Sequence, residues 1–315
     1  MKIIQIDNLN SIESAFKNRD LEALRKLAVP THRIINKSSS FSSVLMLSCN
    51  NIKHLSKIDT LEAECIILNL EDGVAQEDKP FALVLCAIFL SQNIHSNKKL
   101  VVRVNALDEG GYEEIRYLNR FMPDAVRVPK IRNRDEVASV LEHLSGDIEL
   151  HLSIETALAW QNLQSLAVDR RVAAFYLGIL DLFADMKLPQ SLIKRDNPTM
   201  LYILSHFLVT CRSMGIKAVS FVYQEFQNLE EFGMWLSLEK RMGYDAKGCI
   251  SPKQVVLVNE IFSQTKEEII RAKKIVKLFE LNREKGITGF VDEEYGFIDE
   301  PIYKGALHLL TDVTH

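Results

Sequence analysis

The chain has 315 residues, a hydrophobic fraction of 47%, a charged fraction of 25% and a formal net charge of −4, the composition of a globular protein able to bury a full-sized core. With both charge signs interspersed, it lacks the basic domain or stripe of a nucleic-acid binder, and it has no apolar run near the roughly 20 residues that span a bilayer. The start, Met1 to Asp7, lacks the apolar stretch of a secretion signal, so the expectation is a cytoplasmic protein without membrane or nucleic-acid partners.

In chain order, residues 1–40 read as an N-terminal helical extension. Ile12, Phe16, Leu21, Leu24 and Leu27 form a partial apolar stripe that Pro30 ends. Asn36 to Ser40 is a polar linker. From there to about residue 262 strands and helices alternate. The strand candidates are 43–47, 66–70, 100–104, 125–129, 149–154, 173–178, 217–222 and 247–250, with helical segments such as 77–92 and 198–214 between them. Eight β/α repeats favour a closed (β/α)8 TIM barrel over an open doubly wound sheet. No G-x-G-x-x-G follows the first strand, so the sign of a dinucleotide site is absent. Residues 263–315 form a C-terminal helical tail. Thr265 and Glu268 make a capping box, Ile269, Ala272, Val276 and Phe279 recur at helical spacing, and after a polar turn an apolar helix runs from Pro301 to Leu310.

Several strand candidates end in a charged residue. They give Glu71 and Asp72, Arg103, Lys130, Glu155, and Asp181. A β/α barrel builds its active site from such strand ends. Side chains alternate along a strand, so Asn69 and Glu71 share a face, as do Arg103 and Asn105. His151, Ser153 and Glu155 share the face opposite Leu150, Leu152 and Ile154. A polar set of that length on a buried strand points into the barrel and leaves Glu155 at the mouth.

Glu155 and Asp181 end consecutive strands and are the candidate metal pair. Two carboxylates, with other positions left to water or substrate, suit Mg²⁺. The alternative for each is to cap the following helix. A zinc site lacks suitably spaced His and Cys partners. Arg103 closes a buried strand and needs an anion. That anion is either a substrate carboxylate or an internal partner, Glu71 or Asp72. Lys130 is either a substrate-binding cation or a surface lysine, and Glu71 and Asp72 precede Gly73 as catalytic acids or as a turn. The five cysteines form no C-x-x-C pair and read as buried thiols.

Together these motifs resemble the citrate lyase beta-subunit-like branch of the HpcH/HpaI aldolase family. The resemblance runs through Leu70-Glu71-Asp72-Gly73-Val74-Ala75 with Lys79, Val102-Arg103-Val104-Asn105, Val128-Pro129-Lys130, Ile154-Glu155-Thr156, Gly178 with Asp181-Leu182, Gly243 to Gly248, Pro252 to Val255 and Ile298 to Pro301. It implies a β/α barrel, trimeric or hexameric, that breaks or forms carbon–carbon bonds with Mg²⁺ as cofactor. The implied substrates are 3-hydroxy acyl thioesters of the citryl-, malyl- or citramalyl-CoA kind, or a small oxo acid. It makes Glu155 and Asp181 the metal ligands and Arg103 the carboxylate clamp, with Asn105 and Lys130 beside it. Glu71 and Asp72 become the acids near the reacting centre, and the proton acceptor is one of these or an acid of a neighbouring subunit.

Three places depart from the family pattern. Asn69 stands where an Asp is usual, and Ser251 where a His is usual. The first strand, Ser42 to Asn50, lacks the usual basic residue. The last two alter the rim where a CoA ester would lie. They keep open a second reading, a binding or scaffold protein that retained the barrel without turnover.

Overall fold

The computed structural model describes residues 8–30, 33–38, 40–93 and 96–311. Short apolar runs rich in Val, Ile and Leu make eight parallel strands: β1 (Ser43–Ser48), β2 (Cys65–Asn69), β3 (Lys99–Arg103), β4 (Ala125–Val128), β5 (Glu149–Ile154), β6 (Val172–Leu177), β7 (Lys217–Val219) and β8 (Lys247–Cys249). Such runs are buried on both faces, as parallel sheets require. The order is β7-β6-β5-β4-β3-β2-β1-β8. Ser220 closes the ring between β7 and β8: its N–H donates to Ala246 O at 3.0 Å, and its carbonyl accepts from Gly248 N–H at 3.2 Å. The fold is the expected (β/α)8 TIM barrel.

Period-two alternation sorts the strands into two cores. Leu45, Ile66, Leu68, Leu100, Val102, Val126, Leu150, Leu152 and Ile154 face the helices. Val44, Cys65, Ile67, Val101, Ala125, Ala174 and Tyr176 face the barrel axis. Several inward residues are small, which leaves room near the axis for long polar side chains. One layer of the interior is set by strand register: Asn69 pairs with Arg103, Arg103 with Arg127, and Arg127 with His151.

The first unit of the chain runs from Met1 to Phe262, and the N-terminal segment is built into it. The expected single stripe is two helices, Leu9–Lys17 and Leu21–Leu27. They are broken at Arg19, whose φ is 56°, and Asp20 caps the second by accepting from Ala23 N–H at 2.9 Å. Ile12 and Leu24 are fully buried among the helix-facing residues of the strands. Arg33 forks onto Asp124 at 2.8 Å through each Nη. Asp124 also accepts from the N–H groups of Asn36 and Leu100, both at 2.6 Å. Lys99 Nζ donates to Asn36 O and Ser38 O at 3.1 and 2.9 Å, and Phe41 joins the interior core. Lys99 opens β3 and Asp124 immediately precedes β4, so residues 33–38 with Phe41 cover the amino-terminal end of the barrel.

Residues 263–315 form the second unit. Helix Lys266–Arg283 starts at the expected capping box. The expected polar turn after Gly289 is instead a hairpin, β9 (Gly289–Asp292) with β10 (Gly296–Asp299), followed by helix Glu300–Thr311. Each strand has four residues, too few for the period to show in sequence. Asp292 builds the turn by accepting from the N–H groups of Glu294 and Tyr295 at 2.9 and 3.0 Å. Phe279 stacks on Tyr303 at 4.5 Å in this unit's own core. Among the described residues no helix is long and apolar enough to cross a membrane.

Candidate active site at the mouth of the barrel

The carboxyl ends of β2 to β6 bring most of the expected residues together. Glu155 follows β5 and is 3% exposed. Its Oε1 accepts from the backbone N–H of Lys130 at 2.8 Å, and Lys130 holds a left-handed φ of 54°. Thr156 pins the same corner: its hydroxyl donates to Ile131 O at 2.9 Å and accepts from Ala159 N–H at 3.0 Å, capping helix Ala157–Gln161. On the β6 side, Gly178 leaves space for Glu155. A Cβ added there would lie 2.6 Å from the Glu155 Cβ and 2.7 Å from its Oε2.

Arg103 ends β3 and is 6% exposed. Its Nη2 pairs closely with Glu71 and lies 3.7 Å from Asp72 and 3.8 Å from Glu155. The internal ion pair left open by the sequence is therefore present. Arg103 Nε is buried without a hydrogen-bond partner. Lys130 Nζ lies 3.4 Å from Glu71 Oε1, so it belongs to the cluster although its side chain is 43% exposed. Burial pushes the Glu71 carboxyl above the ordinary carboxylate range. Arg103 opposes that, Glu155 and Asp72 reinforce it, and Lys130 opposes it more weakly.

Asn69 and Asn105 are structural struts. Asn69 donates from Nδ2 to the carbonyl of Asp72 and accepts from Glu71 N–H at 3.4 Å. It shapes the turn that Gly73 completes at φ 87°. Asn105 Oδ1 accepts from Lys79 Nζ at 2.5 Å, its Nδ2 donates to Glu114 Oε1 at 2.5 Å, and its N–H donates to Glu114 Oε2 at 2.8 Å. Both ends of the Asn105 amide are thus engaged by the protein.

Asp181 is exposed on helix Ile179–Asp185, in the first turn after Gly178. Gly178 occupies the cap position and no side chain caps that helix, so the capping role does not fall to Asp181. Its carboxylate has no hydrogen bond or ion pair to any described residue. Beside the cluster, a cavity of about 210 Å³ is lined by Asp108, Tyr112, Lys130, Arg132 and Glu136, among others.

Reading from strand ends missed Arg127 and Tyr176 as parts of the site, and it gave Gly178 only as part of a motif. Arg127 lies on β4, one strand from Arg103 at the same register, and parity along β4 was the available signal. Its Nε donates to Ser153 Oγ at 2.8 Å, and its guanidinium carbon sits 4.2 Å over the Tyr176 ring. Burial, with Arg103 nearby, lowers its pKa to about 10, against the pull of Glu155. Next to it His151 Nδ1 lies 3.1 Å from the Tyr176 hydroxyl, and burial brings His151 down to about 4. That imidazole is neutral at pH 7.

Comparisons with known proteins place the chain in a family. The family model described as HpcH/HpaI aldolase/citrate lyase matches residues 42–252. A (3S)-malyl-CoA thioesterase of Cereibacter sphaeroides is 30% identical, covering 76% of this chain and 83% of the relative. The citrate lyase subunit beta of Haemophilus influenzae is 28% identical, covering 82% of this chain and 92% of the relative. Among solved structures, a citrate lyase from Burkholderia xenovorans shares the fold with a TM-score of 0.77 at 17% identity, over 91% of this chain and 95% of that one. CitE of Mycobacterium tuberculosis, solved with magnesium, acetoacetate and coenzyme A, has a TM-score of 0.67 at 20% identity, over 88% of this chain and 99% of that one. The chain belongs to the HpcH/HpaI aldolase/citrate lyase family.

Proposed function

We propose that this protein is a Mg²⁺-dependent carbon–carbon lyase that cleaves or forms a 3-hydroxy acyl thioester, with a small 2-oxo acid as the other partner. The observation that carries the reading is the buried convergence of Arg103, Glu71 and Glu155 at the barrel mouth. Family relatives with lyase names support it, including the citramalyl-CoA lyase of Rattus norvegicus, 25% identical over 86% of this chain.

The residues present fit a hard dication. Among the described residues no group of three or more His, Cys, Asp or Glu gathers as a ready cage. Mg²⁺ does not need one, because it is held by one or two carboxylates and keeps water or substrate in its other positions. Glu155 keeps Oε2 without a hydrogen bond from the protein, and Asp181 keeps its whole carboxylate. Those two would hold the ion. Burial pushes the Glu71 carboxyl up, and the neighbouring Glu155 and Asp72 carboxylates add to that while Arg103 opposes it, so a cation there would meet several acidic groups. When bound, Mg²⁺ supplies positive charge beside oxygens that gain electron density in the reaction.

The chain's own groups account for the remainder. Arg103 offers a planar fork to the oxo-acid carboxylate and fixes its orientation. In the cleavage direction a carboxylate takes the hydroxyl proton, the electron pair of the broken O–H bond forms the carbonyl π bond, and the carbon–carbon pair leaves with the thioester carbon as an enolate. That enolate is then protonated at carbon. Glu71 is the better proton acceptor, because burial raises its pKa toward the working range of a general base. Asp72 sits exposed at the rim beside it.

The test is isothermal titration of Mg²⁺-loaded protein with oxaloacetate, pyruvate and glyoxylate, repeated on Glu155→Ala. Binding of at least one acid that Glu155→Ala abolishes is the expected result. If no acid binds and Glu155→Ala changes nothing, the reading fails. Product analysis with malyl-CoA would separate carbon–carbon cleavage from hydrolysis of the thioester, the activity named for the Cereibacter relative.

A further inference from the structure

We infer that Arg127 is a second carboxylate-binding group, which selects a dicarboxylic 2-oxo acid over a monocarboxylic one; this rests on the function proposed above. Arg127 is 6% exposed, and its guanidinium spends only Nε on a hydrogen bond to the protein, donating to Ser153. Tyr176 covers one face. Among the described residues no carboxylate lies within ion-pair distance of it, and its two Nη groups have no hydrogen-bond partner. Every other buried arginine of the barrel differs: Arg33 forks onto Asp124 and Arg103 pairs with Glu71. A buried cation without an anion is costly unless something supplies one.

The space beside it fits that supply. Arg127, Tyr176 and Ser220 are the polar members of an otherwise apolar cavity of about 20 Å³, which also touches Met46, Leu177 and Val222. That is room for about one oxygen-sized atom. It suits the leading oxygen of a carboxylate whose carbon chain reaches in from the mouth, where Leu177 ends β6.

The spacing also fits. Arg103 and Arg127 are register partners on adjacent parallel strands, which lie about 4.8 Å apart. Both side chains point inward from the same layer. A four-carbon dicarboxylate places its end carbons on the order of 4 Å apart at about 1.5 Å per bond, less the zigzag. An acid of that length matches the spacing of the two strands from which the arginines extend. A three-carbon monocarboxylate such as pyruvate satisfies Arg103 and leaves Arg127 without an anion. Asn69 extends the same layer as a neutral residue already committed to the Asp72 carbonyl, so it does not compete for either guanidinium.

The experiment compares the dissociation constants of oxaloacetate and pyruvate for the Mg²⁺-loaded full chain by titration calorimetry, in wild type, Arg127→Met and Arg127→Lys. Wild type should hold oxaloacetate about tenfold or more tighter, as one extra charge-assisted contact implies. Arg127→Met should erase the difference chiefly by weakening oxaloacetate. Arg127→Lys, which keeps the charge and loses the fork, should retain part of it, and it carries the test if the methionine variant does not fold. Equal affinities in wild type, or a preference unchanged in either variant, overturns the inference while the proposed lyase stands. If neither acid binds, the inference falls, and the glyoxylate titration then decides whether the proposed lyase stands.

Discussion

Gly178 and Glu155 share one space: a methyl on the glycine would come within 2.7 Å of the glutamate's Oε2. The glycine is there for its size, since its φ of −86° suits any residue. Gly178→Ala should therefore push the carboxylate off its seat against Lys130 N–H. The expected cost is about 1–3 kcal/mol of stability, the range for an added methyl in a packed site, together with weakened Mg²⁺ binding. Thermal unfolding and Mg²⁺ titration of the variant read the two effects separately.

Lys130 combines strain with function. Its left-handed backbone costs a non-glycine residue about 1 kcal/mol or more. Lys130→Gly should raise stability by up to about 1 kcal/mol. The same change removes the cation 3.4 Å from Glu71, one of the groups holding that carboxyl down. Activity should fall, and the acid limb of kcat/KM should move to higher pH. Denaturant midpoints and a pH–rate profile check the pair of outcomes.

His151 sets a pH limit on stability. Its pKa is about 4 in the folded barrel against 6.5 unfolded. Between those values the unfolded chain binds more protons, so stability is full above pH 6.5 and declines as pH falls toward 4. The span corresponds to about 3 kcal/mol at about 1.36 kcal/mol per unit. Replacing the imidazole with His151→Gln should flatten the fall in urea midpoint between pH 6.5 and 4. An unchanged slope would show that other groups carry the acid sensitivity.

Asp124 anchors the N-terminal segment. Asp124→Asn leaves Arg33 buried without its anion and weakens the links to Asn36 and Leu100. Breaking one partner of a buried pair costs about 3–5 kcal/mol. Because this pair sits at the amino-terminal end of the barrel, Mg²⁺ and oxo-acid affinity should be unaltered at temperatures where the variant stays folded. Chemical unfolding and calorimetry test that separation.

The sequence by itself determined the barrel and much of the mouth. Eight apolar runs separated by helical segments specify parallel strands, because only strands covered on both faces tolerate such runs. Period-two alternation put Asn69 with Glu71 and Arg103 with Asn105 on shared faces, and turned His151, Ser153 and Glu155 inward. Local patterns failed where elements were short or their partners distant. The hairpin from Gly289 to Asp299 offers four residues per strand, and the break at Arg19 lies inside an apparently continuous stripe. Only the tertiary structure decided who pairs with whom: Arg103 with Glu71, Lys130 N–H with Glu155, Arg33 with Asp124, and Gly178 against Glu155. Each joins residues at least 23 positions apart in sequence. A buried charge shows that a partner is needed, but strand register and loop conformation choose which residue provides it. For Arg127 that choice left a hydroxyl and an aromatic ring but no carboxylate among the described residues, which is why it points to an anionic ligand.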